Sequence, residues 1–136
     1  MTILDARESA PAEGGPSFSL ENRLIRAAWI GVWLLAAAWT PRQLAPWRRL
    51  LLRAFGARMA PGSGGRASAR VWFPAHLELG QGAVIGPHVN VYCMGTISLG
   101  DDVLVSQGAH LCAGTHDCDS PQFQLVAKPI RLGAKA

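Results

Sequence analysis

Leu77-Glu78-Leu79-Gly80-Gln81-Gly82-Ala83-Val84-Ile85-Gly86-Pro87-His88-Val89-Asn90-Val91 carries an apolar residue at every sixth place, Leu79, Ile85 and Val91. The beat extends back to Ala67 and Phe73 and forward to Ile97, and four residues after each beat stands a second small or apolar residue, Val71, Leu77, Ala83, Val89 and Gly95. It then slips by two residues and resumes at Leu99, Val105 and Leu111, with Val103, Ala109 and Thr115 as partners. An amphipathic helix repeats every 3.6 residues and a strand every 2, so a six-residue beat is neither; it marks a hexapeptide β-helix. Three short strands with a turn after each would make a triangular coil of about eighteen residues, and stacked coils would bury one apolar column. The expected fold is mostly β, a parallel β-helix of about three coils.

The phrase apolar-x-Leu-Gly tests this independently. It recurs at Leu77–Gly80, Ile97–Gly100 and Ile130–Gly133. The first interval exceeds one coil by two residues, which fit the slip between Cys93 and Ser98. The second leaves a surplus that fits a loop between Asp117 and Lys128.

The residues before the repeat read as helical. Ser19 is suited to an N-cap and Glu21 to the first turn of a helix from about Leu20 to Trp39, which Pro41 stops. A shorter helix is expected from Pro46 through Arg53, ending at Gly56. The expected division is a flexible N-terminal segment over 1–18, a helical segment over 19–58, and the β-helix over 59–136 with a loop excursion at 117–129. Ala27 to Trp39 is apolar on every face, yet at 1.5 Å per residue it covers only about 20 Å, too little to span a bilayer. Two readings stay open. The helix packs against the domain or a neighbouring subunit, or it anchors at a membrane surface with Trp29, Trp33 and Trp39 at headgroup depth.

With 49% hydrophobic and 16% charged residues in 136, the chain is too apolar for disorder and low enough in charge to suggest an oligomer. Residues 1–60 hold eight Arg against four acids, and the rest is balanced, so the excess charge of +4 lies in the N-terminal segment. Basic residues beside an apolar helix fit a membrane surface or an anionic ligand better than nucleic acid, and no nucleic-acid partner is expected. The three cysteines Cys93, Cys112 and Cys118 are an odd count, and Met1 to Ser19 is polar and rich in Pro and Gly, unlike a signal peptide. A cytoplasmic location follows as the expectation, with peripheral contact at the inner face of the membrane through the N-terminal helices left open.

Trp47 to Ala57, Val71-Trp72-Phe73-Pro74, Ser106-Gln107-Gly108-Ala109 and Leu111-Cys112-Ala113-Gly114-Thr115-His116-Asp117 closely resemble the colanic-acid-biosynthesis acetyltransferases among the hexapeptide acyltransferases. The resemblance implies a left-handed β-helix, a homotrimer, and O-acetyl transfer from acetyl-CoA to a sugar hydroxyl in exopolysaccharide or surface-glycan biosynthesis. The acceptor would be a sugar nucleotide or a lipid-linked glycan. His116 matches the family's catalytic histidine, a side chain that takes and returns protons near neutral pH, with Asp117 or a backbone carbonyl as the candidates for holding its tautomer. Tyr92, Cys93, Gln107, Thr115, Asp119 and Phe123 are the candidate substrate-binding residues, with Pro121 and Gln124 also shaping the acceptor pocket. Gly114, Lys128 and Arg131 are candidates for acetyl-CoA. Related sequences usually carry Asn where this one has Cys93. The family also continues with further coils past Leu132-Gly133, where this sequence stops at Ala136, so a C-terminal truncation is expected.

The competing reading is a catalytically inactive β-helix that trimerises or docks at a membrane. Hexapeptide β-helices also include zinc enzymes, but the surroundings of His88, His110 and His116 do not fit such a site, and no metal is expected. His76, His88 and His110 read as outward turn residues, and Cys112 and Cys118 as ordinary thiols.

Overall fold

The computed structural model describes residues 3–136. Three helices precede the sheets: α1 (Ala6–Ser9), α2 (Leu20–Ala36) and α3 (Ala45–Ala54). Ser19 caps α2, its hydroxyl accepting from the Asn22 amide at 3.3 Å. The helix stops at Ala36, short of Trp39, because the indoles of Trp39 and Trp47 donate to the carbonyls of Leu35 and Ala36 and satisfy the last turn from outside. Gly56 ends α3 region at φ +100°, and a Cβ there would stand 3.0 Å from that of Ala75.

Ten of the short strands then follow the expected design, winding through three sheets. Strands β1 (Arg58–Met59), β4 (Leu77–Leu79), β7 (Ile97–Leu99) and β12 (Ile130–Leu132) form one parallel face, and β2 (Gly64–Gly65), β5 (Val84–Ile85) and β8 (Leu104–Val105) the second. The third face is β3 (Arg70–Val71), β6 (Asn90–Tyr92) and β9 (His110–Cys112), again parallel. The exception in direction is a hairpin, β10 (Gly114–His116) with β11 (Leu125–Ala127), which leaves the coil and returns to it. The architecture is a parallel β-helix with N-terminal helices.

Each complete coil takes 20 residues rather than eighteen, as the side-chain contacts between successive coils at that separation record. The two additional residues sit at the same corner every time, between the third and first faces. In the first coil this corner is a 3-10 turn, Pro74–His76; in the second it is Cys93 to Thr96. The register therefore stacks Met59 on Leu79 and Leu99, and Gly65 on Ile85 and Val105. Val71 stacks on Val91 and Leu111. Ala67 and Phe73 were in the wrong phase of the beat: the slip occurs once per coil and not once in the chain. His76 is not an outward turn residue either. Its Nδ1 lies 3.1 Å and 2.8 Å from the carbonyls of Cys93 and Met94, joining one wide corner to the next.

A parallel coil leaves the outer edge of its first turn with free carbonyls, which cost free energy if covered without partners. Here α2 and α3 lie across that edge and supply donors. Trp29 Nε1 donates to Val71 O at 2.7 Å and Trp33 Nε1 to Ala67 O at 3.2 Å. Arg48 Nε donates to Gly65 O at 3.0 Å, and Arg49 Nη1 to Ser63 O at 3.4 Å. Trp29, Leu52 and Phe55 meanwhile close the end of the apolar column that runs through Val71, Leu79, Ile85, Val91, Ile97 and Val105.

Residues 3–18, expected to be a flexible lead-in, form a hook instead. Asp5 caps α1, accepting from the Arg7 amide at 2.8 Å; Ile3 bridges Phe18; and buried Phe18 stacks on Trp72 at 5.0 Å with the Arg26 guanidinium over both rings. Burial lowers the Arg26 pKa from its ordinary value, with Tyr92 acting in the opposite sense and Arg23 in the same one.

Arg48 is buried, and its Nη1 also donates to Thr40 Oγ1 and Pro41 O, both at 2.8 Å. Truncating it to Ala should cost about 2–4 kcal/mol in chemical denaturation, because three acceptors lose a charged donor at once. Lys, lacking the planar fork, should restore less than half of that loss.

Candidate functional site

The third corner of the last coil does not turn directly onto the first face. Ala113 is buried there, and beyond it β10 carries Gly114, Thr115 and His116 outward, paired with Ala127, Val126 and Leu125. Two close approaches anchor this hairpin. A Cβ on Gly114 would come within 2.8 Å of Met94 Cε, and one on Gly95 within 2.8 Å of the Lys128 carbonyl oxygen and 3.1 Å of its nitrogen. The returning strand thus crosses Gly95 backbone on backbone, while the Lys128 amide donates to Ala113 O at 2.9 Å. Thr115 is accordingly a mid-strand residue and not the corner residue its period suggested.

His116 is exposed, its ring stacked on Phe123 at 4.4 Å and 7°, and among the described residues neither ring nitrogen makes a hydrogen bond. Phe123 holds its place through a backbone at φ +53°. Asp117 does not hold the imidazole. Its carboxylate accepts from the Asp119 amide at 3.0 Å, and its own amide donates to Gln124 O at 2.7 Å, so it shapes the loop.

Gln124 joins the loop to the N-terminal hook. Its Oε1 accepts from the Ala6 amide at 2.6 Å, and its Nε2 donates to Leu4 O at 3.2 Å and Leu125 O at 3.0 Å. Between hook and loop lies an open cavity of about 660 Å³, lined by Asp5, Arg7, Asp117, Asp119, Ser120 and Gln122 and in equal measure by apolar groups such as Ile3, Leu4, Pro121 and Leu125. A neighbouring one of about 200 Å³ is bounded by His116, Phe123, Leu4, Ala6 and Ser17. The hook residues were absent from the sequence-derived site, although Asp5-x-x-Glu8 after Ile3 and Leu4 has the form of a helix-capping signal.

Of the other expected site residues, Asp119 and Phe123 join His116 in this region, as do Pro121 and Gln124. Cys93, expected at the substrate, is enclosed in the wide corner of the second coil. It is fully buried, its thiol donating to Phe73 O at 3.2 Å, and burial pushes its pKa up to about 11. Tyr92 is half-buried on the third face, edge-on to Trp72 at 5.2 Å; burial raises its pKa, with Cys112 adding and Arg26 opposing. Gln107 is exposed at the corner between β8 and β9, the opposite end of β9 from Gly114. Lys128 is exposed where the hairpin returns, and Arg131 stands on the outer side of β12, beside a shallow groove that also touches Arg58, Glu78 and Ser98. His110 lies in β9 with its Nδ1 3.1 Å from Asn90 Nδ2, and His88 is exposed at φ +56°. Among the described residues, no three His, Cys, Asp or Glu side chains are gathered as a metal centre would need.

The chain is 39% identical over 107 residues to the protein named "Putative colanic acid biosynthesis acetyltransferase WcaF" of Escherichia coli (strain K12), covering 79% of this chain and 59% of that one. The figures are the same for the protein of that name from Shigella flexneri. The chain is thus similar to proteins carrying the name that its motifs suggested, and it spans 59% of their length. No family model and no solved structure matches it.

Two outcomes follow from this packing. Exposed Cys112 and Cys118 should react with a thiol reagent within minutes at pH 8, and buried Cys93 only after denaturant is added. Gly95→Ala should lower stability by about 1–3 kcal/mol, since Lys128 backbone must move, and proteolysis between residues 117 and 124 should accelerate.

Proposed function

We propose that the chain carries the catalytic histidine of an O-acetyltransferase that moves an acetyl group from acetyl-CoA to a sugar hydroxyl in exopolysaccharide or surface-glycan biosynthesis. The observation behind this is the placement of His116. It is an imidazole with both nitrogens unengaged among the described residues, held flat against Phe123 beside a cavity, on a hairpin fixed to a rigid stack. The similarity to proteins named as acetyltransferases supports the same reading.

In this reaction His116 takes the proton of the acceptor hydroxyl as that oxygen adds to the thioester carbonyl. A C–O bond forms; the tetrahedral adduct then collapses, the C–S bond breaks, and the leaving thiolate receives the proton back from the imidazolium. Rigid mounting matters because the base must stay within hydrogen-bond reach of one hydroxyl among several. The acceptor spans the two adjoining cavities, its reacting hydroxyl in the smaller one beside His116 and its remainder in the larger, where Asp5, Arg7, Asp117 and Asp119 offer the mixed donors and acceptors a polyhydroxylated sugar, free as a nucleotide or lipid-linked, requires. Lys128, beside the returning hairpin, and Arg131 on β12 are the cations for the phosphates of acetyl-CoA. The working unit is a homotrimer, with cytoplasmic active sites built between neighbouring subunits.

Acetyl-CoA turnover with a sugar-nucleotide or glycan acceptor should fall by about a thousandfold in His116→Ala, a typical contribution of general base catalysis. Equal rates in the two proteins would leave the chain a non-catalytic β-helix. Gln124→Leu should raise KM for the acceptor with a smaller change in kcat, by loosening the hook that walls the cavity.

A further inference from the structure

α2 has two different sides. Trp29 and Trp33 fix one against the β-helix, while the other presents Leu20 and Leu24, then Leu34 and Leu35, with Ala27 and Gly31 in the same helical stripe. Leu20, Leu24 and Leu34 are 61–64% exposed and Leu35 81%. Arg26 is the last charged residue before Arg42, so the fifteen residues between them carry no charge. An uncovered apolar stripe this continuous marks an interaction surface.

The charge around it identifies the partner. Residues 19–70 contain nine Arg, no Lys and one acid, Glu21. Arg48 is buried and Arg26 stacks on aromatic rings, but Arg23, Arg42 and Arg53 are exposed near the stripe in sequence, at the start of α2, after its end and in α3. The indoles of Trp39 and Trp47 satisfy their N–H groups on α2 carbonyls and keep their rings 68% and 41% exposed. Aromatic rings and guanidinium groups around an apolar surface match the headgroup layer of an anionic bilayer, with Arg forks on phosphate oxygens. A second copy would set one arginine-rich, almost acid-free segment against another. No helix among the described residues is long and apolar enough to cross a membrane, so contact through this face is in the plane of the surface.

We propose that α2 and α3 dock the protein on an anionic phospholipid surface, with Leu20, Leu24, Leu34 and Leu35 entering the acyl boundary. This stands apart from the acetyl-transfer reading and does not require it. The test is co-sedimentation of the full chain with vesicles of phosphatidylcholine alone or mixed with phosphatidylglycerol, at low and high salt. The chain should pellet with the mixed vesicles and be released by salt. Leu34→Asp with Leu35→Asp should raise the lipid concentration for half-binding by about tenfold or more, and Arg42→Glu with Arg53→Glu should raise it too. Circular dichroism and light scattering accompany each variant. A chain that stays in the supernatant with mixed vesicles overturns the proposal. So does undiminished binding by folded variants of both kinds. If the leucine variant instead breaks an oligomer and vesicles bind neither protein, the face joins copies and the proposal fails.

Discussion

The structure depends on closing the edge of its first coil. Parallel strands in a β-helix satisfy one another only from coil to coil, so the first has no predecessor for its outward carbonyls. Two indole N–H groups and two guanidinium groups from the helices take that place, at Val71, Ala67, Gly65 and Ser63. Using Trp and Arg for this serves a second purpose, because each brings apolar or planar bulk with its donor. Trp29 caps the column and a carbonyl together. Burial lowers the Arg48 pKa, with Arg66 adding to the effect, which is the electrostatic cost of drawing a cation into that edge.

The other end of the stack carries the hairpin on which His116 stands. Wide corners between the third and first faces absorb two residues per coil in the first two coils and the whole β10–β11 hairpin in the last. His116 is therefore carried by the one corner that the coil geometry leaves adaptable. Leu111, Ile130 and Leu132 keep the column continuous on either side of it, half-buried and packed on the core.

Much of the fold was legible because an inward side chain every six residues is a demand that composition cannot hide. The phase was less so. Ala67 and Phe73 are apolar for reasons of their own, Phe73 because it fills the wide corner against Cys93. A beat counted on hydrophobicity alone accepts them as strand residues. The Gly-Thr-His-Asp block singles out His116, which the structure sets exposed on β10, but it says nothing of where the Asp117 carboxylate goes, since adjacency in sequence leaves it in the loop turn. The hook was hidden for a different reason. Its contacts with Gln124 join residues 118 and 120 apart through backbone groups, which leave no pattern in side-chain chemistry.

The crossing of Lys128 over Gly95 has a consequence for how such a protein can change. The hairpin departs at Ala113 and is pinned again at Lys128, and β12 resumes the first face in register with β7 whatever lies between. Residues 117–124 are thus a closed loop on a fixed base, and the entropy of closing a loop rises only slowly with its length. The loop can be lengthened, shortened or exchanged while the base of the hairpin and the stack beneath it stay where they are. The sequence of this loop and the stability of the fold are in this way separable traits of a single chain.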